Sequence, residues 1–199
     1  VLDKAGLSGS TVTRNITLDN TLPIVNLSNG TEESGKYFIR NWIFINVSVN
    51  EINEENITFY LYNSTLDEIN ATQLPAGTRS INFTVDDVDE IYYYNVTVLD
   101  KAGLPGSTVT RNITLDDTLP IVNLYSGTEE SGKYFSRNWI LINISSIEVN
   151  EESITFYLYN ETGLFKNTTY NDLRKSENFT SVPEGVYYYN ATLIDKVQY

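Results

Sequence analysis

Apolar and polar residues alternate along several short segments of the chain. Ile57, Phe59 and Leu61 alternate with more polar residues, and the same two-residue period recurs at 81–85 and 94–98. Successive side chains of a β-strand point to opposite faces of its sheet. Each segment is therefore predicted to be a half-buried strand.

No segment shows the 3.6-residue period of an amphipathic helix, and turn sequences such as AGLPG and LPAG separate the predicted strands. This spacing predicts an all-β fold of the sandwich type. With sandwich lettering, the predicted strands are A (22–27), B (42–49), C (56–63), E (80–85), F (91–99) and G (108–115).

The chain repeats itself with a period of 97 residues. Residues 1–27 return at 98–124 with two differences, and the copy continues through GTEESGKYF, RNWI, ITFYLYN and YYYN. A period this long fits whole domains in tandem, because solenoid repeats are about 20–50 residues long. The two copies differ most at residues 64–91 of the first and residues 161–186 of the second.

The phase of the repeat predicts three units. Residues 20–117 form a complete module (module 1), 118–199 form a module lacking its last strand (module 2), and 1–19 form an orphan G-type strand. That strand either ends a preceding module of the same chain or is donated to module 2 of another copy. Its predicted donor positions are Val12, Arg14, Ile16 and Leu18.

Composition excludes several functions. The net charge of −13 argues against nucleic acid or an anionic membrane as partner, because phosphate recognition needs clustered Lys and Arg. The chain has no Cys, His or Met, which removes disulfides and thiolate or imidazole chemistry. No apolar stretch of 18 residues suggests membrane insertion of this segment. We expect no catalytic activity.

The sequence YYYNVTVLDKAG at 92–103, with LDDT and LPIV at 115–122, resembles the bacterial immunoglobulin-like (Big-type) repeats of large surface adhesins. Archaeal surface-layer-like and filament glycoproteins carry similar modules. The resemblance implies tandem immunoglobulin-like β-sandwiches with calcium at the F–G turn and domain junction. The aspartates it implicates are Asp3, Asp19, Asp100, Asp116 and Asp117. The alternative is that these residues only cap turns.

Asn-x-Ser/Thr sequons are far more frequent than composition predicts. Fifteen occur, where about four are expected by chance. Outward strand positions favour such polar pairs, which explains only part of the excess. We therefore predict dense N-glycosylation, as on an archaeal surface glycoprotein. The sequon asparagines are Asn15, Asn26, Asn29, Asn46, Asn56, Asn63, Asn70, Asn82, Asn95, Asn112, Asn143, Asn160, Asn167, Asn178 and Asn190.

Three further groups of residues carry specific expectations. Tyr92 and Tyr94 are predicted to point inward at the start of strand F, where sandwiches place a corner tyrosine. Glu51 and Glu54 are interpreted as a solvated turn in preference to a glycosidase pair. Strand B leaves four large residues on its outer face, for which a β-bulge and a module or subunit interface are equal alternatives: Trp42, Phe44, Trp139 and Leu141.

Taken together, these patterns predict a structural subunit of an extracellular, cell-surface filament or stalk. Its expected partners are copies of itself, joined head to tail by donor-strand complementation. N-linked glycans are its expected modification, and calcium is the cation that the family resemblance implies. The alternative is an adhesin or carbohydrate-binding module that recognises a carbohydrate or host surface through its variable segments.

Overall fold

The chain consists of β-strands and loops in the computed structural model, which describes residues 4–197. No helix occurs among those residues, and the predicted all-β class is confirmed. The strands of module 1 are β1 (Ile24–Leu27), β2 (Lys36–Phe38), β3 (Trp42–Asn50), β4 (Glu54–Tyr62), β5 (Glu68–Pro75), β6 (Ser80–Thr84), β7 (Glu90–Asp100), β8 (Pro105–Ser107) and β9 (Arg111–Leu115). Those of module 2 are β10 (Ile121–Leu124), β11 (Trp139–Ile147), β12 (Glu151–Asn160), β13 (Gly163–Tyr170), β14 (Ser176–Thr180) and β15 (Tyr188–Asp195).

Module 1 is a two-sheet sandwich. One sheet has the order β1-β3-β6 and the other β2-β9-β7-β4-β5, with β8 also paired to β7. Strands β1, β3, β4, β6 and β7 correspond to the predicted A, B, C, E and F. This A-B-E sheet facing a G-F-C sheet is the immunoglobulin-like arrangement.

The prediction of a single G strand at 108–115 was wrong in detail. In the structure β9 covers only residues 111–115 of that range, and a separate strand, β8, precedes it; both pair antiparallel with β7. Two further strands were not predicted: β2, which pairs parallel with β9, and β5, which lies beside β4 in the divergent segment. Both are edge strands whose sequences lack a clear apolar alternation.

The core of module 1 is assembled from the alternating apolar positions of both sheets. Phe59 and Tyr94 are completely buried, as are Ile43 and Ile45 from the facing sheet. Tyr92 and Tyr94 both point inward, as predicted, while Tyr93 lies half-exposed on the outer face. The two-residue period of the sequence therefore predicts the core positions of these strands correctly.

Tyr92 forms the corner interaction expected of a sandwich. Its hydroxyl donates a hydrogen bond to the Asp87 carbonyl oxygen at 2.6 Å. Burial, together with the neighbouring Asp87 and Glu90 carboxylates, raises the pKa of Tyr92 to about 12. The buried hydroxyl therefore stays neutral at a pH where an exposed tyrosine ionises.

We expect the free energy of unfolding to fall between about pH 10 and about pH 12. In that window the unfolded tyrosine loses its proton while folded Tyr92 keeps its own, so rising pH favours the unfolded state. Urea titrations across the window should show a shallower fall for Tyr92→Phe, whose neutral-pH stability should be lower by about 1 kcal/mol. An equal slope in both proteins would contradict this assignment.

The G strand of module 1 also contacts strand A. A Cβ atom added to Gly106 in β8 would lie 1.9 Å from the carbonyl oxygen of Pro23, just before β1. Gly9, the repeat counterpart of Gly106, lies in the N-terminal segment, and an added Cβ there meets nothing within 4 Å. Only one of the two equivalent glycines is therefore constrained by packing in this chain.

Gly106→Ala is expected to lower the stability of module 1 by about 2 kcal/mol or more, because β1 or β8 must move to accommodate the methyl group. Gly9→Ala is the matched control and should leave stability unchanged in the monomeric chain. Urea denaturation of both variants measures the difference. Equal stability of the two would show that β8 does not approach Pro23 so closely.

Module 2 repeats the sandwich without its final strands. Its sheets have the orders β10-β11-β14 and β13-β12-β15, and its own core includes Ile142, Phe156 and Leu158. Within residues 4–197, β15 pairs only with β12, whereas its counterpart β7 also pairs with β8 and β9. Among these residues, one edge of β15 therefore has no neighbouring strand.

The segment equivalent to β2 is not a strand in module 2. Tyr134 there is fully exposed and Phe135 is 48% exposed, while their counterparts Tyr37 and Phe38 are half-buried. The reason is that β2 pairs only with β9, and module 2 has no strand in that position among the described residues. The segment equivalent to β2 therefore has no partner strand among the described residues.

Residues 11–18 form no strand. Their sequence, TVTRNITL, is identical to residues 108–115. Ile113 and Leu115 are completely buried, whereas the equivalent Ile16 and Leu18 are 85% and 89% exposed. The same octapeptide is therefore part of a core in one place and surrounded by water in the other.

The outward tryptophans are explained without a bulge. Strand β3 pairs with β6 in continuous register from Trp42 to Asn46, so the bulge alternative is wrong. Trp42 remains on the outer face, and the Arg40 guanidinium lies between it and Phe38, 3.9 and 4.1 Å from the two ring centroids. Arg40 also pairs with Glu32 at 2.8 Å.

The same arrangement recurs in module 2. The Arg137 guanidinium lies 3.7 Å from the Trp139 ring centroid and 4.3 Å from that of Phe135. Trp42 and Trp139 are about equally exposed, and Phe44 and Leu141 are half-buried beside them. An interface at these four positions stays a prediction.

A candidate cation site at the module junction

Three carboxylates converge at the start of module 1. Oxygen atoms of Asp19, Glu51 and Asp100 all lie within 4.8 Å of one another. Asp19 belongs to the segment leading into β1, Glu51 to the β3–β4 turn, and Asp100 to the end of β7. The sandwich brings these positions together because the β3–β4 and β7–β8 turns lie at the same end of the module.

Asp100 is the buried member of the cluster. Its Oδ1 atom accepts hydrogen bonds from the backbone N–H groups of Ala102 and Leu104, both at 2.8 Å. Its Oδ2 atom is buried and has no hydrogen-bond partner. A buried polar atom left unsatisfied costs about 1–3 kcal/mol, and more when the group is charged. A cation bound at Oδ2 would remove that cost.

Hydrogen bonds orient the other two carboxylates. Asp19 Oδ2 accepts from Asn53 Nδ2 at 2.6 Å and Asp19 Oδ1 from Thr21 N at 3.1 Å. These two bonds lower the pKa of Asp19, and the bond from Asn53 has the larger effect. Asp19 is therefore ionised at neutral pH. Glu51 Oε1 accepts from Asn53 N at 2.6 Å. Within residues 4–197, no Lys or Arg forms an ion pair with Asp19, Glu51 or Asp100.

The repeat places the same residue types at the start of module 2. Asn150 Nδ2 donates to Asp116 Oδ2, and Asn150 N donates to Glu148 Oε1 at 2.7 Å. Asp195 Oδ1 accepts from Val197 N at 2.8 Å, as Asp100 accepts from its own turn. The Glu148 Oε2 atom is buried and has no partner. Among the described residues, three carboxylates come within 4.8 Å of one another only at Asp19, Glu51 and Asp100, so the module 2 set is a looser acidic cluster.

The aspartates implied by the family resemblance divide between these sites. Asp19 and Asp100 lie in the first cluster and Asp116 in the second. Asp117 is exposed and donates its backbone N–H to Asp89 Oδ1 at 3.3 Å, so it belongs to neither. Asp3 lies outside the described residues. Calcium prefers carboxylate and amide oxygens as ligands, and both occur at these positions. Calcium binding itself stays a prediction.

Sequence reasoning did not assign Glu51 and Glu148 to these sites. Their recurrence at the 97-residue period, each two positions before an asparagine, is the signal that could have identified them. The interpretation of this turn as merely solvated is also wrong for Glu54. Glu54 is buried and pairs with Arg79 through two hydrogen bonds, of 2.9 and 2.7 Å. A paired, buried glutamate gives no support to glycosidase chemistry.

None of the fifteen sequon asparagines is buried. Seven are half-buried, and eight are exposed: Asn15, Asn26, Asn29, Asn70, Asn82, Asn167, Asn178 and Asn190. In Asn46 and Asn143 the side-chain nitrogen already donates to a loop carbonyl oxygen, of Asn29 and Ser126 respectively. Asn63 and Asn95 likewise donate, to Asp67 Oδ2 and Thr110 Oγ1, and a glycosylated asparagine keeps one N–H, so an engaged side-chain nitrogen does not distinguish these sequons.

Comparisons with known proteins give structural neighbours only. No protein-family model and no curated protein matches the chain. The fibronectin(III)-like modules of Clostridium thermocellum CbhA are similar at 13% identity and TM-score 0.40, over 87% of this chain and 88% of that one. A two-domain fibronectin type-III segment of chicken tenascin is similar at 9% identity and TM-score 0.37, over 87% and 98% of the two chains. The immunoglobulin-like class is established by the strand order and two-sheet core of the chain itself.

Proposed function

We propose that this chain is a structural segment of an extracellular, N-glycosylated stalk or filament on a cell surface. The observation that carries the proposal is the placement of all fifteen sequon asparagines at solvent-accessible positions of a tandem sandwich. Glycans there would solvate the sheet faces and obstruct edge-to-edge aggregation of strands. The chain performs no chemistry of its own in this function.

Intact-mass measurement of the protein from its own host tests this proposal. The bare polypeptide has a mass of 22.6 kDa, so glycans at most sequons should raise the mass of this segment well above that value. A segment mass equal to that of the bare polypeptide would overturn the proposal.

Calcium at the acidic clusters would stiffen such a rod. Asp116 is the clearest structural link between the modules. Its backbone N–H donates to the Phe38 carbonyl oxygen of module 1 at 3.0 Å, and its side chain accepts from Asn150 of module 2. A cation bound at Asp116 would strengthen this connection between the end of module 1 and the start of module 2.

The open edge of β15 would be the point of assembly. We propose that residues 11–18 of a second copy pair with β15 as β9 pairs with β7 in module 1. The support is the identity of the two octapeptides and the exposure of Ile16 and Leu18. A head-to-tail contact of this kind propagates without closing on itself, which produces a filament.

A second candidate function is carbohydrate recognition by an adhesin. It is favoured by outward-facing tyrosines that stack in parallel on each module, Tyr60 on Tyr62 and Tyr157 on Tyr159. Binding of the chain, stripped of its own glycans, to a glycan array would support an adhesin, and absence of binding would support a passive stalk.

A further inference from the structure

Each module carries a pair of stacked tyrosines on the outer face of its C strand. The Tyr60 and Tyr62 ring centroids are 6.2 Å apart with an interplanar angle of 16°. Tyr157 and Tyr159 repeat this arrangement at 6.1 Å and 19°. All four rings are half-buried, so part of each apolar surface remains in contact with water. We call each pair a tyrosine platform.

A sequon asparagine lies directly beside each platform. Asn95 of β7 is the cross-strand partner of Tyr60, and Asn190 of β15 is the cross-strand partner of Tyr157. Side chains of directly opposed residues share a face of the sheet, with Cβ atoms about 4.5–5.5 Å apart. The asparagine side chain and the tyrosine ring are therefore immediate neighbours in both modules.

The side chain of Asn95 lies between the G strand and the platform. Asn95 Nδ2 donates a hydrogen bond to Thr110 Oγ1 at 3.1 Å, on the side of β7 occupied by the G strand. A glycosylated asparagine keeps one N–H on Nδ2, which can maintain this bond. The Asn95 side chain also interacts with the Tyr62 hydroxyl, so a sugar attached to it would lie on the side of β7 where β4 carries Tyr60 and Tyr62.

Module 2 brings a second sequon to the same platform. Asn167 of β13 is the other cross-strand partner of Tyr157, so asparagines lie on both sides of that tyrosine. Asn167 and Asn190 are both exposed. Module 1 has Ala71 at the position of Asn167. A sequon asparagine therefore lies beside the tyrosine pair on the F strand of both modules, and module 2 has a second one on β13. This recurrence associates glycan attachment with the tyrosines.

We propose that the innermost sugars of the glycans at Asn95 and Asn190 pack against the tyrosine platforms. The apolar C–H face of a pyranose would cover the exposed face of the rings and remove apolar surface from water. The glycan then forms part of the folded surface of the sheet and stabilises the module. This inference rests on the proposed glycosylation of these two sequons.

The experiment compares the glycosylated protein with three variants made in the same host: Tyr60→Ala, Tyr60→Phe and Asn95→Gln. In the starting protein, the protons of the innermost sugar on Asn95 should resonate upfield of their positions in the excised glycopeptide, because they lie over an aromatic ring. Tyr60→Phe should retain the shift and Tyr60→Ala should abolish it.

Thermal unfolding provides the second readout. Removal of the Asn95 glycan should lower the midpoint of module 1 by about 4 °C when Tyr60 is present and by much less in the Tyr60→Ala background. Asn15→Gln, which removes a sequon from the N-terminal segment that forms no strand, is the control and should give the same midpoint in both backgrounds. Such a difference measures the coupling between glycan and ring.

The outcomes separate this inference from the proposed function. If peptide mapping finds Asn95 and Asn190 unmodified, the inference that their sugars pack on the platforms is overturned. The proposed function is then judged by the remaining thirteen sequons. Glycans present at both positions, without an upfield shift and without coupling to Tyr60, would overturn the platform and leave the glycosylated stalk intact.

Discussion

Chelation of divalent cations is expected to lower the thermal unfolding midpoint of the chain by about 10 °C. A ligand present at about one hundred times its dissociation constant stabilises the folded state by about 2.7 kcal/mol, and each kcal/mol shifts the midpoint of a small domain by about 4–8 °C. The physical source is the Asp100 Oδ2 atom, which is buried and unpaired, with Asp19 and Glu51 beside it. Differential scanning calorimetry with calcium and with a chelator measures the shift.

Asp100→Asn makes this test specific. The asparagine Oδ1 atom can still accept from Ala102 N and Leu104 N, so the F–G turn is preserved, but the charge and the free oxygen ligand are lost. The variant should unfold in chelator at no lower a temperature than the parent, and calcium should no longer stabilise module 1. Asp117→Asn, at an exposed aspartate outside both clusters, should respond to calcium as the parent does. An unchanged midpoint with and without calcium in the parent would contradict the cation site.

The second large effect is expected in assembly. If residues 11–18 complete module 2 of another copy, then Ile16→Asp or Leu18→Asp should abolish self-association of the chain. The equivalents of these residues, Ile113 and Leu115, are completely buried in module 1. Burial of each such side chain contributes about 1.5–3 kcal/mol, so a buried aspartate in its place would remove the main apolar contribution. Sedimentation velocity over a concentration series and electron microscopy of the concentrated protein measure the effect.

Val12→Asp is the matched control for those variants. Its counterpart Val109 is 73% exposed although it lies between β8 and β9, so a charge at position 12 should not disturb the docked strand. By this comparison Val12 would contribute little to a docked strand, and its role as a donor position stays a prediction. Gly9→Ala should be silent in the monomer and impair assembly, because the docked Gly9 would approach Pro120 as Gly106 approaches Pro23. Retained self-association in Ile16→Asp would contradict strand donation.

The acidic clusters are only partly predictable from the sequence. The repeat marked Asp19, Asp100 and Asp116 as recurring, and the family resemblance associated them with calcium. The sequence predicts only that Glu51 lies in a solvated turn. Glu51 and Asp100 are far apart along the chain, and nothing in the sequence indicates that the β3–β4 and β7–β8 turns meet. That proximity is a property of the folded sandwich, in which both turns close the same end.

The sequence by itself determined the all-β class, the inward and outward faces of the central strands, and the 97-residue repeat. These features are local or periodic: alternation along one strand fixes which side chains enter a core, and self-similarity is visible without a fold. Only the tertiary structure decided the separate strand β8, the parallel β2–β9 pair, the acidic clusters and the tyrosine platforms. Each depends on residues distant along the chain, because register and cross-strand neighbours arise only when the two sheets assemble. The octapeptide TVTRNITL shows the difference most directly, since its isoleucine and leucine are completely buried beside β7 and remain exposed where no sheet edge accompanies them.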